Sequence, residues 1–193
     1  LLEKTGRLNE AISNYQIALN TNDPSAFLWH RIGNCHLTLG NDNLGIQFLR
    51  KAIQLEPSFG RAWNKLAGFY IKKKDYGKAK YYVLKGLKSN SDCISLWKKS
   101  MIIHRFLTEY EEVIHACQNL IALEHRNLDT WMHYIDGHLY LKEWSLALKA
   151  ALKALDQFKQ NAFIEFRVAG CYYEVNQNFK AQFHFPTATR KKP

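Results

Sequence analysis

Four of the five tryptophans, Trp29, Trp63, Trp97 and Trp131, are evenly spaced, each thirty-four positions after the last. A fixed period constrains a chain strongly, because every period must fold as the same unit and bury its apolar surface against its neighbours. Other positions hold the same register without an insertion. Ala11, Gly45, Ala79, Val113, Ala147 and Ala181 form one series of mostly small residues. Ala18, Ala52, Gly86, Leu120, Ala154 and Ala188 form a second, and Leu19, Ile53, Leu87, Ile121 and Leu155 form an aliphatic one. Within a period the apolar residues recur three and four apart: Ala62, Trp63, Leu66, Ala67, Tyr70 and Ile71, then Ala79, Val83, Gly86 and Leu87. That spacing makes one stripe of an amphipathic helix. Each period is therefore expected to be a pair of helices of about 12–15 residues. A single pair cannot cover both of its faces, so the pairs must stack.

These positions resemble the tetratricopeptide repeat (TPR) family. Trp29, Ile32, Gly33, Gly40, Ala52, Leu55 and Pro57 match its pattern in one unit, and Trp63, Leu66, Ala67, Tyr70, Tyr76, Ala79 and Leu87 in the next. Later units keep Trp97, Tyr110, Trp131, Ala147 and Ala154. The resemblance implies an all-α, right-handed α-solenoid of stacked helix-turn-helix repeats. The units run 1–25 (partial), 26–59, 60–93, 94–127, 128–161 and 162–185 (incomplete), as a single solenoid over 1–185. Pro186 should end the last helix, because it lacks an amide donor and clashes with the preceding turn. Residues 186–193 then form a basic flexible tail, and the chain reads as a piece of a longer array.

A volume rule supports the register. The eighth residue of a unit should face the twenty-fourth, giving Gly33 with Leu49, Ala67 with Val83, Met101 with Cys117, Ile135 with Ala151 and Ala169 with Phe185. Where one grows the other shrinks, as close packing requires. Leu120, at a position held elsewhere by Ala or Gly, has no evident counterpart in this scheme.

The sequence argues against catalysis. His36, His104 and His138 fall at one repeat position, so stacking separates them by more than a shared ion could span. No HExxH, GxSxG or phosphate-cradling glycine loop is present. Glu109, Glu111 and Glu112 read as carboxylates at a helix start. Cys35, Cys93, Cys117 and Cys171 form no CxxC pair and read as reduced thiols, which favours an intracellular, cytoplasmic protein. No cofactor and no metal is expected, and no apolar run is long enough for a membrane-spanning helix.

The net charge of +10 (27 Lys and Arg against 17 Asp and Glu) bears on partners. The TPR resemblance places the first helix of each pair on a concave groove. The groove residues would be Arg31 and Asn34, then Arg61, Asn64 and Lys65, then Lys98, Lys99 and Arg105, and finally His133. Such a groove would hold an extended, acidic peptide segment of a partner protein, asparagines on its backbone and cations on its carboxylates. One alternative is a constitutive subunit of a multiprotein complex, docking through the fourth and fifth units with Phe106, Tyr140 and Trp144. Another is an RNA-binding helical-repeat protein, supported by the Lys72-Lys73-Lys74 run.

Overall fold

The computed structural model describes residues 6–21, 25–123 and 127–190, with side chains through residue 184. Among the described residues there are eleven α-helices and no strand. α1 (Leu8–Thr21) precedes five hairpins. These are α2 (Ala26–Thr38) with α3 (Asp42–Leu55), α4 (Gly60–Lys72) with α5 (Tyr76–Ser89), and α6 (Ile94–Phe106) with α7 (Tyr110–Leu123). They continue with α8 (Leu128–Tyr140) and α9 (Trp144–Gln157), then α10 (Ala162–Glu174) and α11 (Asn178–Arg190). Both the first and the second helices of the hairpins start at one constant interval, the period read from the tryptophans. The helices form two compact units, residues 1–99 and 100–193. In the first, α2 packs on α1, α3 and α4; in the second, α8 packs on α7, α9 and α10.

Each turn inside a hairpin is built the same way. Its second residue has positive φ at Gly40, Lys74, Thr108, Lys142 and Asn176. In each turn the next amide reaches five residues back, as in Asn41 N–H to His36 C=O and Glu143 N–H to His138 C=O, both 2.9 Å. A shorter loop closes beside it, such as Lys142 N–H to Leu139 C=O. This is the Schellman arrangement, which satisfies carbonyls that a helix end leaves open. Glycine adopts the left-handed conformation freely; Lys74, Thr108, Lys142 and Asn176 do so at a steric penalty.

Several helix starts are capped by side chains. Ser25 accepts from Leu28 N–H, Asp75 from Lys78 N–H, Asn127 from Thr130 N–H, and Asn161 from Phe163 and Ile164 N–H.

Inside the first full hairpin the expected pair Gly33 and Leu49 is in contact. A methyl group on Gly33 would sit 2.9 Å from Leu49 Cγ and from the Gly45 carbonyl oxygen, so the helices touch there only because the residue is glycine. Ala67 and Val83, Met101 and Cys117, and Ile135 and Ala151 are all buried; Phe185 lies outside the described side chains. Gly86 serves the next interface, where an added methyl would meet Trp63 and Leu96 at 2.8 Å. The repeat places Thr130 against Leu120 as it places Leu96 against Gly86. Both Thr130 and Leu120 are buried.

A ring ladder runs beside this core. Phe48 stacks between Trp29 (5.7 Å) and His36 (5.3 Å), and Tyr82 lies between Trp63 (6.2 Å) and Tyr70 (5.3 Å). His184 stacks on Tyr172 at 5.7 Å.

One expectation is corrected. α11 continues through Pro186 to Arg190, so the helix does not end at 185. Proline removes a single hydrogen bond, and its fixed φ is itself compatible with a helix. Residues 191–193 lie outside the described residues.

Candidate functional site

The first helices of the first unit carry a cleft of about 440 Å3. Its walls are Leu37 and Thr38 from α2, Asn64, Lys65, Gly68, Phe69 and Lys72 from α4, and Lys99 from α6. None of these is acidic. Gly68 makes the cleft possible, because a methyl group there would lie 3.2 Å from Lys99 Cε. The lysine stem therefore runs close along the α4 backbone. Burial pushes the Lys99 ammonium below the usual lysine range, and Lys65 adds to the effect, while Cys93 opposes it. A buried ammonium facing a second cation is an environment that an anion would stabilise. Beside it, Asn64 Oδ1 is buried without a hydrogen-bond partner. A buried amide oxygen that accepts nothing is costly, by about 1–3 kcal/mol.

A neighbouring cleft of about 500 Å3 shares Asn64 and contains Glu56, Phe59, Arg61, Asn90 and Ser95. Asn64 thus joins Lys65 and Lys99 on one side and Arg61 on the other. Arg31, Asn34 and Lys98 line neither cleft. Arg31 Nε donates to Tyr15 Oη at 3.3 Å, and its guanidinium lies over the Tyr15 and Phe27 rings.

Arg105 and His133 belong to the second unit. Arg105 Nη1 is 3.5 Å from His133 Nε2, and Asp129 Oδ1 approaches the same nitrogen at 3.6 Å. Burial lowers the His133 pKa, with Arg105 adding to it and Asp129 and Asp136 opposing. Asp136 is itself held by Arg167 through two hydrogen bonds of 2.7 and 3.2 Å. Of the three aromatic residues noted in the sequence, Tyr140 is exposed and stacks on Tyr110 at 4.3 Å, Phe106 is exposed beneath Arg105, and Trp144 is half-buried.

The histidines at the shared repeat position do not converge. His104 Nδ1 lies 2.5 Å from Glu109 Oε2, and His138 Nδ1 lies 2.6 Å from Glu143 Oε2. Both rings are buried, each next to the carboxylate that precedes the following helix. With the carboxylate ionised the imidazole must be the donor. The signal was present in the sequence as a His–Glu spacing of five that recurs in the next repeat. At His36 the equivalent position holds the neutral amide of Asn41, and His36 Nδ1 is buried without a hydrogen-bond partner. No group of three His, Cys, Asp or Glu among the described residues could hold a metal ion. Cys35, Cys117 and Cys171 are buried and form no disulfide, and burial pushes Cys117 up to about 12 and Cys171 up to about 11. No helix among the described residues is long and apolar enough to cross a membrane.

Comparison with known proteins adds three findings. The sequence model of the tetratricopeptide repeat matches residues 28–59 and 60–93. The chain is 25% identical over 129 residues to the tetratricopeptide repeat-containing protein trd-1 of Caenorhabditis elegans, covering 67% of this chain and 17% of that protein. It is 26% identical over 123 residues to a TPR repeat-containing protein of Schizosaccharomyces pombe, covering 63% and 15% respectively. The chain thus spans under a fifth of the length of these relatives. Among solved structures it is similar to YrrB, described as a TPR protein with an unusual peptide-binding site (TM-score 0.73, 17% identity, 90% of each chain). It is also similar to MamA (TM-score 0.71, 17% identity, 86% of this chain and 91% of that one). At these identities the likeness concerns the fold.

Proposed function

We propose that this chain, two stretches of which match the tetratricopeptide repeat, is a non-enzymatic protein-interaction scaffold whose first unit binds an extended acidic peptide segment. The observation that carries this reading is the cleft of Asn64, Lys65 and Lys99. A backbone amide of the peptide would donate to Asn64 Oδ1, which accepts no hydrogen bond in the free protein. A carboxylate of the peptide would sit between Lys65 and Lys99 and relieve both their mutual repulsion and the burial of the Lys99 charge. Arg61, across Asn64, would take the next acidic residue. Arg31, Asn34, Lys98, Arg105 and His133 contribute less directly, because none lines the two clefts. The test is fluorescence anisotropy of a labelled acidic decapeptide. Lys65→Glu with Lys99→Gln should weaken binding by about 100-fold, the loss of two charge-assisted contacts. Unchanged affinity would remove the reading.

A second reading, membership in a larger assembly, is favoured by one observation. Phe163, Phe166 and Tyr173 on α10, and Phe179 and Phe183 on α11, are all more than half exposed. Aromatic residues left open in this density are typical of surfaces that meet another protein. Analytical ultracentrifugation of the full-length chain, before and after Phe179→Ser, would test it.

A further inference from the structure

The ring ladder has two rungs that the sequence fills with alanine, Ala116 and Ala150, and the second of them borders a cleft. The twenty-third residue of a unit is Phe48, Tyr82 or His184 in three hairpins, and each stacks nearly parallel on the ring at position eleven: His36, Tyr70 and Tyr172. In the hairpin of α8 and α9 that residue is Ala150, while Trp131 and His138 keep the flanking places. The result is a cleft of about 370 Å3 between α7, α8 and α9, walled by Trp131, Tyr134, His138 and Ala150. Tyr134 does not take the missing place. It meets Trp131 and His138 edge-on, at 80° and 77°, whereas Phe48 lies within 15° of parallel to both of its neighbours.

The rim of this cleft has a defined chemistry. Lys149 and Lys153 stand one helical turn apart on α9, and Lys153 occupies the repeat position of Lys51, whose ammonium lies 4.7 Å over the Trp29 ring. A second recess, with Trp131 and both lysines in common, extends to Leu152, Asp156 and Gln157. Gln157 Oε1 is buried there without a hydrogen-bond partner, so an unused acceptor faces the end of the same surface. Leu146, beside the cleft, is about half exposed.

We propose that this cleft is a second docking site, which receives an aromatic side chain of a partner protein flanked by carboxylates. The ring would slide between Trp131 and His138 as Phe48 does between Trp29 and His36, completing the ladder in trans. Offset stacking on two rings and the removal of apolar surface from water supply the attraction. The adjacent carboxylates would pair with Lys149 and Lys153, and a backbone amide of the partner would donate to Gln157. The site lies wholly in the second unit and uses none of the residues of the acidic-peptide cleft.

The experiment uses two synthetic peptides, acetyl-Glu-Asp-Phe-Glu-Asp-amide and its Phe-to-Ala counterpart, titrated into the 15N-labelled protein. The Phe peptide should shift the Trp131 indole N–H signal and bind about tenfold more tightly than the Ala peptide. Ala150→Phe, which rebuilds the missing rung from within, should lower affinity for the Phe peptide about tenfold while leaving circular dichroism unchanged. Lys149→Glu with Lys153→Glu should weaken binding by a similar factor, whereas Lys65→Glu should leave the Trp131 shift intact. Equal affinity for the two peptides, a Trp131 signal that does not move, or full binding by Ala150→Phe would each overturn the proposal. So would tighter binding of oligouridylate than of the Phe peptide at this site, which would mark a nucleic-acid platform instead. Should Ala150→Phe fail to fold, the peptide pair alone decides.

Discussion

The hairpins α2–α3 and α8–α9 have the same helix lengths and the same turn, yet distribute their side-chain volume in opposite ways. In the first, the inner contact is glycine against leucine, Gly33 with Leu49, and the ring position is filled by Phe48. In the second, the inner contact is isoleucine against alanine, Ile135 with Ala151, and the ring position is Ala150. The first turns on Gly40, the second on Lys142. The backbone registers the sum of the volumes at a contact rather than which helix supplies them. The shortfall at Ala150 leaves a cleft and not a change of fold.

The largest test of this trade is a double-mutant cycle in α8–α9. Ile135→Ala should cost about 3 kcal/mol, because it empties a fully buried site. Ala151→Val alone should cost about 1–2 kcal/mol by overpacking. Together they recreate the Ala67–Val83 pair, and urea denaturation should show at least about 1 kcal/mol recovered; strict additivity would refute the volume rule. Next in size is the ring position. Phe48→Ala should lower stability by about 2 kcal/mol, since half-buried Phe48 bridges Trp29 and His36. The same measurement on Ala150→Phe should show no loss.

The clefts of the two units can be compared through Lys99. Its folded pKa is lowered, so the unfolded chain holds more protons in the window between that value and the ordinary lysine pKa. Stability should therefore rise with pH through that window, and the rise should vanish in Lys99→Met. That variant should also be more stable at neutral pH, seen as a higher melting temperature, while losing acidic-peptide affinity. The smallest effect concerns the turns. Lys142→Gly should stabilise by about 0.5–1 kcal/mol and Gly40→Lys should destabilise by a similar amount, both read from thermal unfolding. Equal signs would mean that the left-handed residue is not what separates the two turns.

Much of the fold was legible because the repeat samples one problem several times. Trp29, Trp63, Trp97 and Trp131 gave the period, and the helix starts follow it. Of the hairpin turns, only the one at Gly40 carries a glycine at its left-handed residue; Lys74, Thr108 and Lys142 hide the same conformation behind ordinary side chains. Pro186 misled because a local rule about helix interiors weighed the residue and not the turns around it. For the site, Asn64, Lys65 and Lys99 could be placed on one set of helices from position alone, but nothing in the sequence distinguished them from Lys98, whose side chain lines neither cleft.

The sequence by itself determined the helix pair, its repeat length and the stacking of apolar stripes, because these depend on periodicity, which is a property of order along the chain. The tertiary structure decided which polar atoms remain unsatisfied, which lysine loses its water, and which rung of the ring ladder stays open. Those properties depend on the distance between side chains from different helices, as between Lys99 and Gly68 or around Trp131 and Ala150. Desolvation and cavity volume are fixed only when the neighbours arrive.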